Sequence, residues 1–258
     1  MRFQEIDILL VDDEPGFLEQ AKGILEEIDD RFVIETSSTV ENALEQIENK
    51  NFDAVVSDYL MTDKNGIEFL RILREEKENM IPFILFTGRG WEEVAMKALN
   101  IGANKYIWKN EEVSLYEKEK KEPVDQYEVL AKEIVKEVKN YENKKVLELT
   151  RRTIEKSKEG IFWVDPKGEI LYVNEAVRDM LGYKQKELIG KNISEIDPAF
   201  LQEDREEAWK KLKEEGSRTF KSKHETKDGT VIPVEITSNY VRDEDKELEF
   251  AFVRRIDE

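Results

Sequence analysis

The chain has no cysteine and only one histidine among its 258 residues. The lack of cysteine excludes disulfides, thiolate metal sites, iron–sulfur clusters and cysteine nucleophiles. No apolar run approaches the roughly 20 residues that a membrane-spanning helix needs. The N-terminus MRFQEIDILL also has acidic residues where a signal peptide has an apolar run. These absences predict a soluble, cytoplasmic protein.

Positive charge is scarce relative to negative charge. The 41 Lys and Arg residues face 59 Asp and Glu residues, which gives a formal net charge of -18. Phosphates of nucleic acids and anionic membrane surfaces repel such a chain, and its lysines are interleaved with glutamates rather than gathered in a basic patch. We therefore expect neither nucleic acid nor membrane as a partner.

Short apolar runs alternate with amphipathic stretches over the first half of the chain. This rhythm predicts an α/β fold, a doubly wound parallel sheet of five strands with helices on both faces. The predicted strands are IDILLVDD, FVIETSS, FDAVVSD, PFILFTG and NKYIWK. The helices predicted between them are 15–28, 40–47, one from about 67, and 92–99.

A long helical pattern follows, from Asp125 to about Lys156. Its apolar stripe is longer than one small domain can cover, so a homodimer formed through this helix remains an open alternative. The predicted domains are 1–140, with an inserted loop at 110–124 and the last helix from about 125, then a helical connector at 141–157 and a second domain at 158–258. The second domain has turn signals at Asp165–Gly168 and Asp228–Gly229, which predict an α+β domain on an antiparallel sheet.

Polar residues stand at the carboxyl ends of four predicted parallel strands, where such sheets form their sites. Asp12 and Asp13 end the first strand, and Asp58 ends the third. Thr87 and Lys109 end the fourth and fifth. Clustered carboxylates suit Mg²⁺. Asp58, alone on a central strand, is the candidate nucleophile toward phosphorus, with Lys109 and Thr87 to receive the phosphoryl oxygens.

These residues lie in stretches that resemble the receiver domain of two-component response regulators: LLVDDEP, VVSDYLM, NGIEFL, ILFTG and ALNIGANKYIWK. The resemblance implies a flavodoxin-like fold with Mg²⁺ on Asp12 and Asp13 beside Asp58. It implies that Asp58 accepts a phosphoryl group from a histidine kinase, as a phosphoacceptor and not as an enzyme. It also implies that Thr87 and Tyr106 act as switch residues, and that Leu60 offers a backbone carbonyl to the metal. The family usually has proline after the lysine; here Asn110 follows, which predicts a trans bond.

The second domain resembles a PAS domain over EGIFWVDPKGEILYVNEAVRDMLGYKQKELIGKNISEI and the closing EFAFVRRIDE. Receiver–PAS chains of this kind are familiar among archaeal signalling proteins. By this resemblance Asn174 caps a helix that starts at Glu175. PAS folds can enclose a ligand, which the sequence does not name and which can be absent. Candidate pocket residues are Trp163, Tyr172, Tyr183, Trp209 and His224. A haem would need His224, but a partly buried, hydrogen-bonded histidine is the preferred interpretation.

The sequence thus predicts a phosphorylatable receiver coupled by a helix to a PAS module that contacts a downstream protein. One alternative is a PAS-based sensor whose small ligand modulates the receiver. A homodimer through the PAS domain is a further open alternative. The last-ranked alternative is a metal-dependent phosphatase. It is disfavoured because Asp12 and Asp13 are adjacent, whereas such enzymes need the spacing Asp-x-Asp.

Overall fold

Five parallel strands form the first sheet, in the order β2-β1-β3-β4-β5. The computed structural model of the protein describes residues 5–88, 92–109, 126–197, 205–244 and 246–257. Ile8 on β1 pairs with Ile34 on one side and with Ala54 on the other, so β1 is the strand from which the sheet is built outward in both directions. The strands are β1 (Ile6–Val11), β2 (Phe32–Ser37), β3 (Ala54–Ser57), β4 (Phe83–Thr87) and β5 (Lys105–Trp108).

Helices cover both faces of this sheet, as predicted. One apolar cluster lies under α1 and the first part of α5, and the other lies under α2, α3 and α4. Thr39 and Asn65 cap α2 and α3 through their side-chain oxygens, which fixes where each helix begins. The helices are α1 (Pro15–Ile28), α2 (Val40–Asn49), α3 (Gly66–Arg71, continued as a π-helical turn over Ile72–Glu76), α4 (Glu92–Ile101) and α5 (Gln126–Glu155).

The long helix α5 changes character along its length. Its first turns bury apolar side chains such as Leu130 and Ile134 against the sheet. Further on, Val146, Leu147 and Leu149 are 63%, 71% and 67% exposed. The helix spans 30 residues. The predicted link between the two halves by one long helix is therefore confirmed.

The second half is a five-stranded antiparallel sheet, in the order β7-β6-β10-β9-β8. Gly168 closes the predicted turn between the first two strands, with φ of +90°. Asn174 caps α6 by accepting from the backbone N–H of Val177, as the sequence predicts. The strands are β6 (Gly160–Val164), β7 (Ile170–Val173), β8 (Ser217–Glu225), β9 (Val231–Asp243) and β10 (Lys246–Arg255), and the helices are α6 (Glu175–Leu181), α7 (Gln185–Leu188) and α8 (Arg205–Glu215).

The chain divides into two compact units, Met1–Lys145 and Val146–Glu258, so that the last turns of α5 belong with the second sheet. The domain limits predicted from the sequence stay predictions. The predicted insertion at 110–124 and the bond between Lys109 and Asn110 lie outside the described residues. Within the part of the chain that the structure describes, no helix is both long and apolar enough to cross a membrane.

Candidate functional site

The carboxyl ends of β1, β3, β4 and β5 bring the predicted polar residues to one edge of the parallel sheet. Backbone pairing continues past the strands there: the N–H of Asp58 donates to the carbonyl of Val11 at 2.8 Å, and the N–H of Lys109 donates to Thr87 at 2.7 Å. These bonds fix where each side chain starts. The resulting cleft of about 340 Å³ is lined by Asp12, Asp13, Glu14, Phe17, Asp58, Leu60, Thr87, Gly88 and Lys109.

The ammonium group of Lys109 lies between two carboxylates in this cleft. Its Nζ is 2.5 Å from Oδ2 of Asp12 and 3.2 Å from Oδ1 of Asp58. The Asp12 side chain is 4% exposed, so this pair is strengthened by the low local polarity. Burial raises the pKa of Asp12, and the hydrogen bond from Lys109 opposes that rise. The lysine therefore stabilises the charged carboxylates where two acidic groups would otherwise repel each other.

Backbone N–H groups hold the two carboxylates in place. Leu60 donates to Oδ2 of Asp58 at 2.8 Å, and Glu14 donates to Oδ1 of Asp12 at 2.9 Å. The loop after Asp58 is also tightly packed, because a Cβ on Gly66 would lie 2.2 Å from the Asp58 carbonyl oxygen. Glycine is the residue that permits this approach. The Asp58 side chain is thus presented to the cleft by a closely packed loop.

The two candidate switch residues lie in different surroundings. Thr87 is 1% exposed and lines the cleft. Tyr106 is half-buried against the cluster under α3 and α4, and it is not among the residues that line the cleft. Its hydroxyl is buried with no hydrogen-bond partner among the described residues. Burial, followed by the nearby charge of Asp58, raises the pKa of Tyr106.

The donor set suits a hard divalent cation, although its present arrangement is built around Lys109. No three histidine or acidic side chains of the described residues are placed to hold a metal ion together. Mg²⁺ needs only one or two protein carboxylates, because it keeps several waters. Asp12, Asp13 and Asp58 all line the cleft, and Leu60 lies beside them. These oxygen donors fit Mg²⁺ by their chemistry, provided that Lys109 moves off Asp12.

His224 lies in the core of the second unit. Strand alternation puts Phe220 and His224 on the same, inner face of β8, where Phe220 packs against the apolar core and His224 is 1% exposed. The expectation of a partly buried, hydrogen-bonded histidine is wrong: both ring nitrogens lack a hydrogen-bond partner among the described residues. Nε2 is 3.6 Å from Oδ2 of Asp197, whose two oxygens accept from the Ser222 hydroxyl. Burial lowers the pKa of His224 to about 4, so its imidazole is neutral at pH 7.

The cavity beside His224 is about 30 Å³, also lined by Asp197 and Glu249. This is room for a water molecule or two and far below the roughly 300–1,000 Å³ of sites for drug-sized ligands. The four aromatic residues predicted to share a pocket with His224 do not line this cavity. Trp163 contacts Tyr172 on the other face of the sheet, Tyr183 packs beside the core cluster, and Trp209 contacts Tyr240. Strand alternation separates Trp163 from Phe162, which does line the cavity.

Sequence reasoning did not identify a second polar group in this core. Glu249 accepts from the Ser238 hydroxyl at 2.6 Å and from Nη1 of Arg205 at 3.0 Å. Arg205 also donates to the carbonyl of Asp165. Arg205 lies 44 residues from Glu249 and 40 residues from Asp165 in the chain, so no local pattern signals these two contacts.

Comparison with known proteins agrees with both halves of this description. Residues 8–118 match the family model of the response regulator receiver domain, and residues 148–256 match that of the PAS fold. The chain is similar to response regulator Rre1 of Synechocystis, with 29% identity over 107 residues that cover 41% of this chain and 46% of that protein. It is also similar to the methanogenesis regulatory protein FilR1 of Methanothrix harundinacea, with 31% identity over 105 residues that cover 40% of this chain and 24% of that protein.

A solved receiver domain protein (CheY-like) from Methanospirillum hungatei is 27% identical, covers 55% of this chain and 99% of that structure, and has a TM-score of 0.44. The matched region spans less than half the length of each of the two curated relatives. The two family models together extend over most of the chain, in the order that the two sheets have in the structure. This chain therefore carries a response regulator receiver domain over residues 8–118, followed by a PAS domain over residues 148–256.

Proposed function

We propose that Asp58 accepts a phosphoryl group from a histidine kinase, with Mg²⁺ bound beside it, and that this chain is a phosphoacceptor and not a turnover enzyme. The observation that supports the proposal is the convergence of Asp12, Asp58 and Lys109 from three different strands on one cleft. A carboxylate nucleophile, a cation and further carboxylates together meet the needs of phosphoryl transfer.

In the proposed reaction an oxygen of Asp58 forms a bond to phosphorus while the bond from phosphorus to the kinase imidazole nitrogen breaks. Bound Mg²⁺ supplies neutralising charge for the phosphoryl oxygens. Asp12 and Asp13 would hold the ion, with Asp58 and the Leu60 carbonyl. Lys109, which lies 3.2 Å from Asp58 in this structure, would contact a phosphoryl oxygen. The Thr87 hydroxyl would donate to another.

The proposed output passes through α5 to the PAS domain and from there to a downstream protein. The last turn of α5 is tied to its own unit by the side-chain amide of Asn174, which donates to the carbonyl of Ile154 at 3.1 Å. Glu155 accepts from the hydroxyl of Tyr172 and from Arg178. A change at the start of α5 would therefore reach residues that are hydrogen-bonded to β7 and α6.

The PAS domain supports a second candidate function, the sensing of a small ligand. The observation that favours it is the pair of unpartnered nitrogens of buried His224. The cavity of about 30 Å³ restricts such a ligand to very few atoms unless the core opens. Mass spectrometry of the purified protein under native conditions tests this candidate function. If every preparation has the mass of the protein without a ligand, this candidate is contradicted.

Intact mass spectrometry tests the main proposal. The full chain is incubated with a small phosphodonor, with and without Mg²⁺, as wild type and as Asp58→Asn. The proposal predicts the gain of one phosphoryl group that requires both Mg²⁺ and Asp58. Asp13→Asn should raise the Mg²⁺ concentration needed for half-maximal gain. Equal phosphorylation of wild type and Asp58→Asn would overturn the proposal.

A further inference from the structure

The ring of Phe17 lies directly under the ammonium group of Lys109. Nζ is 3.8 Å from the ring centroid, well within the range of about 6 Å in which a cation is attracted to an aromatic face. Phe17 is in the first turn of α1, where Pro15 begins the helix, and its side chain lines the cleft. A second ring, that of Phe86, lies 5.5 Å from the same Nζ. Lys109 thus has an aromatic contact in addition to its two carboxylates.

The contacts of Lys109 with Asp12, Asp58 and the nearer ring, that of Phe17, differ in what happens to them during the proposed reaction. Asp12 would be taken by Mg²⁺, and Asp58 would become the phosphorylated group. The contact with Phe17 involves neither the metal nor the phosphoryl group, so it can persist throughout. An ammonium group on a flexible four-carbon chain gains direction from such a fixed contact, because fewer rotamers compete.

We propose that Phe17 is a positioning residue that holds the Lys109 ammonium beside Asp58 while Mg²⁺ occupies Asp12, and that this contact increases the rate of phosphorylation. The inference rests on the proposed function of Asp58. It goes beyond that function because it assigns a role to a residue that carries no charge and touches no phosphoryl oxygen.

Two substitutions separate this role from simple packing. Phe17 is half-buried and its ring lies 6.3 Å from that of Phe86, so it also fills space. Phe17→Leu keeps an apolar side chain of similar reach but removes the aromatic face. Phe17→Tyr keeps the face. A packing role predicts that both substitutions have similar effects, whereas a cation–π contact predicts that only the leucine variant is impaired.

The experiment measures phosphorylation of the full chain by a small phosphodonor as a function of Mg²⁺ concentration. Phe17→Leu should lower the maximal rate about five-fold, the change that a contact of this kind produces. Its Mg²⁺ concentration for half-maximal rate should stay within about two-fold of wild type, because the metal ligands are untouched. Phe17→Tyr should restore the rate to within about two-fold of wild type.

A second readout does not depend on phosphorylation. The Cε protons of Lys109 should resonate upfield in the NMR spectrum because they lie over the Phe17 ring, and Lys109→Arg assigns the signal by removing it. The shift should persist in Phe17→Tyr and disappear in Phe17→Leu. Phe52→Leu is the matched control, since Lys50 Nζ lies 5.3 Å from the Phe52 ring in another part of the unit. It should leave the phosphorylation rate unchanged.

The possible results separate two failures. If wild type gains no phosphoryl group while the Lys109 shift is present, the function proposed for Asp58 fails, and the role of Phe17 in it fails as well. If wild type is phosphorylated and Phe17→Leu reacts at the same rate, only the inference about Phe17 is overturned. Equal impairment of the leucine and tyrosine variants overturns it too, in favour of packing.

Discussion

The Asp12 carboxyl occupies a position that reduces the stability of the folded protein at neutral pH. Burial raises the pKa of Asp12. A carboxyl with a raised folded-state pKa contributes stability below its unfolded-state pKa near 3.8, and that contribution is lost as pH rises through the folded-state value. Asp12→Asn should therefore increase the free energy of unfolding by about 1 kcal/mol at pH 7 without Mg²⁺.

Urea unfolding at several pH values measures this effect. The gain from Asp12→Asn should shrink as the pH falls toward 4, because the wild-type carboxyl then becomes neutral as well. A variant that is less stable than wild type at pH 7 would show instead that the pair with Lys109 outweighs the burial of the carboxyl.

Gly66 controls the backbone that carries the proposed phosphoacceptor. Gly66→Ala would place a Cβ 2.2 Å from the carbonyl oxygen of Asp58 and 2.8 Å from Cδ1 of Leu85. The loop must shift, so we expect a loss of about 1–3 kcal/mol in the free energy of unfolding and slower phosphorylation. Gly23→Ala is the matched control, because a Cβ there meets nothing within 4 Å. In helix α1 it should be neutral or stabilising by up to about 1 kcal/mol. Equal stability of the two variants would contradict the account of this loop.

His224 should make the second unit sensitive to acid. Its folded-state pKa of about 4 lies below the ordinary 6.5, so its neutral form contributes stability above pH 6.5 that is lost as pH falls toward 4. The expected loss between pH 7 and pH 5 is about 2 kcal/mol. The charge of Asp197 reduces this loss, because it favours the imidazolium and so opposes the lowering of the His224 pKa.

Because the chain contains one histidine, a single Cε1 proton signal reports this group. We expect its NMR titration midpoint well below 6, near 4, and we expect His224→Gln to remove the loss of stability between pH 7 and pH 5. A midpoint near 6.5 would mean that the imidazole is solvated.

At the scale of elements, one half-buried arginine joins two loops of the receiver unit, the loop before β4 and the loop before β5. Arg74 lies in the π-helical turn after α3 and donates to the backbone carbonyls of Asn79, Ile81 and Gly102. Burial lowers its pKa. Arg74→Met removes the donor to all three carbonyls and should cost about 3 kcal/mol of unfolding free energy.

The neighbouring Arg71 provides the control for this substitution. It is exposed, and its Nε lies 3.8 Å from Glu75 on the same helix. Arg71→Met should therefore change the unfolding free energy by less than about 0.5 kcal/mol. Denaturant unfolding of both variants measures the difference, and similar values for the two would contradict a structural role for Arg74.

The elements themselves could be predicted from the sequence because their signals are local. Strand and helix periods, the cap at Asn174 and the turn at Gly168 each depend on residues within a few positions. The polar edge could also be predicted, since the ends of parallel strands meet wherever the strands pair. The contacts of Phe17 and Arg74 could not be predicted, because they depend on how far a helix is rotated against the sheet. The absence of Trp163, Tyr172, Tyr183 and Trp209 from the lining of the cavity beside His224 could not be predicted either, because aromatic content does not say which face of a sheet a ring occupies.

At the scale of the whole molecule, α5 begins in the unit that contains the charged cleft and ends in the other unit. The family models and the fold identify a receiver domain and a PAS domain. The transfer of a phosphoryl group to the first, and the passage of the resulting change along α5 to the second, are proposals. The formal net charge of -18 bears on solubility and association and not on the phosphoryl transfer itself. The chemistry of Asp58 decides whether the receiver domain can receive a signal at all.

The most direct test is to locate the phosphoryl group on the chain. Protein phosphorylated by a small donor in the presence of Mg²⁺ is reduced with borohydride, which converts an aspartyl phosphate to homoserine, and its peptides are sequenced by mass spectrometry. The account predicts homoserine at position 58 and unmodified aspartate at Asp12 and Asp13. Homoserine at either of those two positions, or unmodified aspartate at position 58 in protein that has gained a phosphoryl group, would contradict it.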